Sequence, residues 1–301
     1  ILDRLLSQVF FTYLHVNPKD RKVVVCDAVL SPTAFRSALV FVLLKRLSVL
    51  SVAFVVDLVL PLYLTGLSSG IVIDLGYSAT RVLPTFASVP VLSAFAHSFV
   101  GGAIINQKVR RSLKELASET DATSATAASV RFSESALEDI TARACYVSFT
   151  YKGADDDKLV RLQSSNAVTL DMGKQSGVVT VPADVRWKAT EVLFQPDSED
   201  TGDVDTCSTV SEAFVTAVRS CPIDIRPKVL QNVVVCGGCA SMKGLLPRLV
   251  QEIEAALLRD SVTAPLADKL MITPLDFAPL CAVWTGGSIY GSLEGIHEYT
   301  L

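Results

Sequence analysis

Asp74 closes an apolar run and is followed at once by Leu75-Gly76-Tyr77, so a carboxylate stands where the backbone must turn. Two Gly-Gly pairs lie far downstream, Gly237-Gly238 in NVVVCGGCASMKG (232–244) and Gly286-Gly287 in AVWTGGSIYGS (282–292). Each segment reads as a buried strand broken at glycine, where backbone turns sharply or comes close to a ligand. A turn of backbone N–H groups beside a carboxylate is equipment for holding phosphate next to a cation. Three such turns at these separations suggest a nucleotide cleft between two α/β halves. Taken alone, Asp-Leu-Gly is equally an ordinary β-turn, since both residue types favour turns, and short glycine motifs match often by accident.

Other reactive residues form no constellation. The seven cysteines (Cys26, Cys145, Cys207, Cys221, Cys236, Cys239, Cys281) are odd in number and irregularly spaced, which is reduced-thiol usage. Cys236 and Cys239 make a formal CxxC, but no second ligand pair accompanies it, so it reads as small residues around a glycine turn. His15, His97 and His297 show no partner pattern and read as structural or solvated. Asp155-Asp156-Asp157 reads as a solvated acidic turn, without the further oxygens that calcium needs. No catalytic residue and no metal ligand is assigned from the residues alone.

The 301 residues allow one large domain or two ordinary ones, and half of them are hydrophobic, so a sizeable core can form. A net charge of -4 and a pI near 5.5 give no electrostatic reason to expect nucleic acid. The apolar stretch 39–64 is interrupted by Lys45, Arg46 and Asp57 and broken by Pro61 and Gly66, and 82–107 holds two prolines and two glycines. Neither stretch suits a membrane span. The chain opens on Ile1 in a helical turn without a signal-peptide pattern, which reads as a truncation inside a fold.

Positioning elements follow from the periodicity. The pattern predicts a helix over 1–15, a turn at 17–20 and a strand at 23–26. A helix follows, capped by Ser31 with Pro32 first, to about Arg46. Next come a strand at 52–56, a helical stretch 58–65 ended by Gly66, and a hairpin of 71–74 with 80–84 around Gly76. Helices are expected from Gly102 to about Leu116, at 137–146, 183–194, 210–220, 225–230 and 245–258, and a turn-to-helix at 285–293. Strands are expected at 178–182, 233–236 and 270–273, and loops at 117–129 and 195–205. Strands and helices alternate, so the class is mixed α/β.

With these motifs in order, the chain resembles actin and the actin-related proteins. Asp74-Leu75-Gly76-Tyr77 matches the family's second phosphate loop, Gly237-Gly238 with Gly244 its adenosine loop, and Trp284-Thr285-Gly286-Gly287-Ser288 its Trp-x-Gly-Gly-Ser segment. Cys221-Pro222-Ile223-Asp224-Ile225-Arg226 and Leu193-Phe194-Gln195-Pro196 match two further family segments. The resemblance implies the two-lobed actin-like fold, with its N-terminal strands and first phosphate loop falling before Ile1. It divides the chain into 1–64 with 284–301 (first lobe), 65–100 with 206–283 (second lobe) and an insertion at 101–205. It also implies a nucleotide cleft at Asp74, Gly76, Tyr77, Gly237, Gly238 and Met242, and ATP or ADP with Mg as the cofactor of the complete protein, held as a vestigial or structural ligand.

The same resemblance implies lost chemistry. The family's water-ordering glutamine and histidine fall at Asp57 and Arg81, where an ion pair is expected. Its Lys-Glu pair falls at Thr141 and Ala142, its nearby arginine at Glu138 and its base-stacking lysine at Leu280. ATP hydrolysis is therefore expected to be absent or very slow. Tyr63, Leu64, Thr65 and Gly66 match a wall of the family's barbed-end cleft, a candidate interface whose alternative is a core helix end. The segments 16–24 and 137–147 and the Cys-Pro-Ile-Asp run resemble the branch at the pointed end of dynactin. That implies dynactin subunits as partners, namely actin-like filament protomers and pointed-end subunits, in the cytoplasm and cytoskeleton. A divergent actin-like ATPase and a nuclear actin-related protein of a chromatin-remodelling complex remain the alternatives.

Overall fold

The computed structural model describes residues 1–119, 133–148, 150–152, 159–161, 166–172, 178–195 and 209–293. Helix α1 (Leu2–Gln8) runs on through a wider turn at Val9–Tyr13, and strand β1 (Lys22–Asp27) follows. Helix α2 (Thr33–Phe41) continues similarly to Arg46, and strand β2 (Ser51–Val56) pairs parallel with β1. The cap of α2 is Pro32 rather than Ser31, and no side chain bonds its first amides. Phe10, Leu39, Leu43, Leu47 and Val52 form the small core between these elements. A tight 3-10 helix, Asp57–Leu64, leads out of β2 and ends before Gly66, whose φ of 69° suits glycine.

The main sheet begins with β3 (Gly70–Leu75) and β4 (Thr80–Phe86), the hairpin expected around Gly76. The short strands β5 (Val89–Pro90) and β6 (Ala96–Ser98) both pair with β4. Helix α3 (Gly102–Glu119) continues through 117–119, where a loop was expected; most of that loop lies outside the described residues. Helix α4 (Glu134–Ala144) is capped by Ser133. Strands β7 (Thr150–Lys152) and β8 (Leu159–Arg161) form one hairpin, and β9 (Val168–Asp171) and β10 (Val178–Val181) another. Helices α5 (Ala183–Lys188), α6 (Val210–Ser220) and α7 (Arg226–Leu230) precede β11 (Val233–Cys236), which adds to β3 in parallel. Asp155-Asp156-Asp157, Cys207, His297 and most of 195–205 lie outside the described residues.

The last elements are α8 (Leu245–Arg259) and α9 (Ala282–Gly291). The strand expected at 270–273 is reduced to one parallel bridge from Ile272 to Val233, because Met271 and Thr273 bond only Leu230, Val233 and Asn232. The third glycine pair is also corrected. Gly286 and Gly287 lie inside α9, not in a turn. A Cβ on Gly286 would stand 2.1 Å from the Leu60 carbonyl oxygen, so the glycine lets α9 lie directly on the 3-10 helix.

Strand β3 is buried along its whole length because it has strands on both sides and cover on both faces. Alternation sends Ile71, Ile73 and Leu75 into the large core shared with α6 and α8, and sends Val72 the other way. On that second face Val72, Leu83 and Val234 meet Leu58, Val59 and Leu62 of the 3-10 helix. Two residues on from Val72 is Asp74, and two residues before Leu83 is Arg81. The pleat therefore aims both at the start of the 3-10 helix, where Asp57 sits.

Gly286→Ala should lower stability by at least about 2 kcal/mol, the scale of overpacking into rigid backbone, despite alanine's better helix propensity. Gly291→Ala, whose Cβ would meet only Val24 at 3.6 Å, is the neutral control. Urea titration of both variants checks this; equal midpoints would remove close approach as the reason for the glycine.

Candidate functional site

Arg81 sits between two carboxylates. Its Nη1 donates to Asp57 Oδ2 at 2.8 Å, and its Nη2 and Nε donate to Asp74 Oδ2 at 2.5 and 3.1 Å. Asp74 and Arg81 are cross-strand neighbours in β3 and β4. The expected Asp57–Arg81 pair is present, and Asp74 joins it as a third member. Asp57 Oδ1 also accepts the Leu58 N–H at 2.8 Å, so both of its oxygens are engaged. Both aspartates are 8% exposed. Burial pushes the Asp57 carboxyl above its usual range, further than Arg81 and the Leu58 amide pull it down, and Asp74 adds to the rise. Burial works against the Arg81 charge, yet the two carboxylates outweigh it and hold the guanidinium above the usual arginine range.

The Gly76 turn is closed on itself and on helix α3. Gly76 N–H donates to the Ala79 carbonyl. The first amides of α3, Gly102 and Ala103, donate to the carbonyls of Gly76 and Tyr77 at 3.1 and 2.7 Å. A helix N-terminus offers such amides to anions; here the hairpin takes two of them. Gly237 (φ 97°) completes the seam, since a Cβ there would lie 2.5 Å from Asp74 Oδ1 and from the Leu75 carbonyl. The buried Cys239 thiol donates to the Gly76 carbonyl at 3.5 Å, and burial pushes it up to about 11. Cys236 is raised well above the thiol range by burial, then by Asp74. Both thiols are buried and pack around the glycine turn.

Beside this seam is a cavity of about 420 Å³, within the range of small-molecule sites. Tyr77, Gly238 and Met242 line it, while Asp74, Gly76 and Gly237 stand behind its wall. The four positions of expected loss, Glu138, Thr141, Ala142 and Leu280, line it too. The structure thus gathers residues up to about 200 apart in sequence into one concave surface. Sequence reasoning missed Gly102, Asn106 and Ser241. Asn106 is 2% exposed; its Oδ1 accepts from Thr141 Oγ1 at 2.7 Å, and its Nδ2 has no hydrogen-bond partner among the described residues. Its signal was a polar residue one helical turn past the Gly-Gly start of α3, on the face that carries Ile105 and Val109 inward.

Tyr63, Leu64, Thr65 and Gly66 lie outside this cavity. Tyr63 stacks edge-on against Tyr290 of α9 at 5.8 Å. Thr65 Oγ1 donates to the Leu62 carbonyl and accepts from the Leu67 amide and Asn232 Nδ2, which fixes the segment between the 3-10 helix and β11. Leu67, beside it, is 52% exposed.

The cavity is concave and mostly apolar, and its donor set does not fit a divalent cation. The carboxylates that would face one are bound to Arg81, and the charged residue on the cavity wall is Glu138.

Arg81→Met leaves two buried carboxylates facing each other without a cation. Removing one member of a buried ionic cluster typically costs about 3–5 kcal/mol. The sign with pH is fixed: a carboxyl whose folded pKa is raised contributes stability below the ordinary value of 3.8, and this is lost as pH rises through the folded pKa. Without Arg81 the Asp57 carboxyl rises further, so the variant loses more stability than the parent as pH rises, and urea titrations should show a wider gap at pH 7.5 than at pH 5. A gap independent of pH would overturn the assignment.

A family model described as Actin matches residues 1–301. Proteins of that family typically bind ATP or ADP with Mg, and the mixed α/β architecture described above is that of such a domain. No helix among the described residues is long and apolar enough to cross a membrane. By its match over residues 1–301 and its fold, the chain belongs to the actin family.

Proposed function

We propose that this chain is a non-catalytic structural actin-related subunit, of the type of actin-related protein 10, that caps the pointed end of the actin-like filament of dynactin. It would recruit pointed-end partners there for dynein-driven transport. The observation that carries the non-catalytic part is the double engagement of Arg81 by Asp57 and Asp74. Ordering and deprotonating a water requires a group that can accept a proton at the right place. Arginine is permanently charged and accepts none. Asp57 has one oxygen on Arg81 and the other on the Leu58 amide, so turning it toward a water breaks one of these bonds. The lost cationic positions on the cavity wall, Glu138, Thr141 and Leu280, agree with this reading. An adenine nucleotide held in the complete protein is compatible with it, as structural ligand rather than substrate.

Shape would do the work in this reading. The lobes are 1–64 with 284–301, and 65–100 with 206–283, with 101–205 inserted; helix α9 supports the division by lying on the 3-10 helix and on β1. The fixed segment at Tyr63, Leu64, Thr65 and Gly66 would face a filament protomer.

The test is single-turnover ATP hydrolysis by the full-length protein, together with tagged purification from its own cells. The expected outcome is no turnover above the uncatalysed background and recovery of dynactin subunits. Turnover at an actin-like rate sinks the non-catalytic reading, and recovery of remodelling ATPases instead of dynactin sinks the dynactin assignment.

A further inference from the structure

Many cations of this chain are matched by carboxylates. Arg36, Arg110, Arg111, Arg143, Lys188 and Arg248 each have one within ion-pair distance. One corner of the molecule departs from this. Lys19, Arg21 and Lys22 surround the entry to β1, and Lys45 and Arg46 stand in the last turn of the helical run that begins as α2. The backbone holds the two groups together. Leu50, four residues after Arg46, donates its N–H to the Arg21 carbonyl at 2.9 Å, and Lys22 pairs with Ser51 in the small parallel sheet. Four residues reach at most about 14 Å, and the Val49 N–H turns back to the Leu43 carbonyl, which shortens the span. All five cations are exposed. Among the described residues, no carboxylate lies within ion-pair distance of Lys19, Arg21, Lys45 or Arg46. Asp20, the acid of the corner, accepts from Asn17 Nδ2 at 3.2 Å.

A solvated face would account for exposed lysines and arginines, and a helix C-terminus favours cations in its last turn. Neither accounts for the apolar side chains beside them. Phe41, about one turn before Lys45, is 55% exposed, and Leu50 is 62% exposed although its backbone is fixed to Arg21. Apolar anchors ringed by polar side chains are how protein recognition surfaces are built. Charge balance then selects the occupant. Five cations and one carboxylate give the corner a formal charge of +4 in a chain of net −4, so the remainder carries −8. A bilayer or a nucleic acid extends past the corner and meets that repulsion. A short acidic segment touches the corner alone, because surface charges act over about 8 Å at physiological salt.

We propose that the corner of Lys19, Arg21, Lys22, Lys45 and Arg46 docks a short acidic segment of a protein partner, whose apolar side chains settle on Phe41 and Leu50. The inference is independent of the chemistry of the cleft and of which assembly the chain joins.

The probe is a short fluorescent peptide of Glu interspersed with Leu, titrated by anisotropy into the full-length protein. Binding should weaken as salt rises. Arg21→Gln with Arg46→Gln should lower the affinity about tenfold, the scale of two lost charge contacts. Leu50→Ser should also weaken binding, without changing its salt dependence. Lys188→Gln, the same change of charge at a paired site on α5, should leave the affinity unchanged. Thermal unfolding of each variant should match the parent. A second measurement needs no variant: carbodiimide, which joins amines directly to carboxylates, should link Lys19 or Lys45 to an Asp or Glu of another subunit in complexes purified from the protein's own cells. The inference falls if the peptide does not bind at millimolar concentration, or if Lys188→Gln weakens binding as much as the corner variant does. It falls equally if phosphatidylserine vesicles or single-stranded DNA bind more tightly than the peptide, or if neither lysine cross-links to another chain.

Discussion

The guanidinium of Arg81, held between the buried carboxylates of Asp57 and Asp74, is the interaction on which the geometry of this molecule turns. Asp57 opens the 3-10 helix that leaves the small parallel sheet, while Asp74 and Arg81 belong to the central hairpin of the large one. The contact therefore pins the connecting helix to the sheet face at its N-terminal end, while Leu58, Val59 and Leu62 pin it by apolar contact further along. Helix α9 lies on the outer side of that connecting helix, through Gly286 against Leu60. One polar cluster and one glycine thus set the relative placement of three elements. Two carboxylates against one guanidinium leave a surplus of negative charge in a desolvated place, which is why burial and the second aspartate lift the Asp57 carboxyl despite its direct partner. Buried clusters of this kind are weak sources of net stability. Their contribution here is to specify where the helix starts.

Much of this was legible from residue types. Runs of Val and Ile bounded by turn residues announced β3 and β11, and the expected helices at 210–220 and 245–258 match α6 and α8 within a residue. The Asp57–Arg81 pair was readable because two ionisable residues fell at neighbouring positions of one aligned site. Its third member was not, because Asp74 had been assigned to the nucleotide cleft, and the strand register shows that it faces Arg81. Strand β6 escaped because three residues are too few for alternation to show. The segment 270–273 looked like a strand from its apolar residues, but it lies beside β11 with a single bridge, so local pattern and tertiary pairing disagree.

The misreading of Gly286-Gly287 as a turn has a physical cause. Glycine in a sequence marks a place where a Cβ cannot fit or where φ must be positive; it does not say what fills the space. At Gly237 the backbone has a positive φ and the missing Cβ makes room for Asp74 and Leu75. At Gly101 the close neighbours are carbonyls of the hairpin, and at Gly286 the neighbour is Leu60 of a packed helix. All of these contacts are internal. Gly238, whose Cβ would meet Leu280 at 3.7 Å, borders the cavity, as does Gly102.

It follows that the architecture of such a cleft and its chemistry are separable. The seam between hairpin, helix α3 and β11 needs small residues for steric reasons whether or not phosphate ever enters it. Replacing Gly237 or Gly286 would damage the fold before it affected any ligand. Charged positions on the wall carry no such constraint: Glu138 and Ala142 face the cavity and solvent, so their identity is free to change without disturbing the core. A chain can therefore keep every glycine of a nucleotide site while its cationic and proton-accepting groups are exchanged one by one. The residues that report on activity are then the exposed and half-buried polar ones around the cavity, together with whatever occupies the space between Asp57 and Asp74, and here that is an arginine.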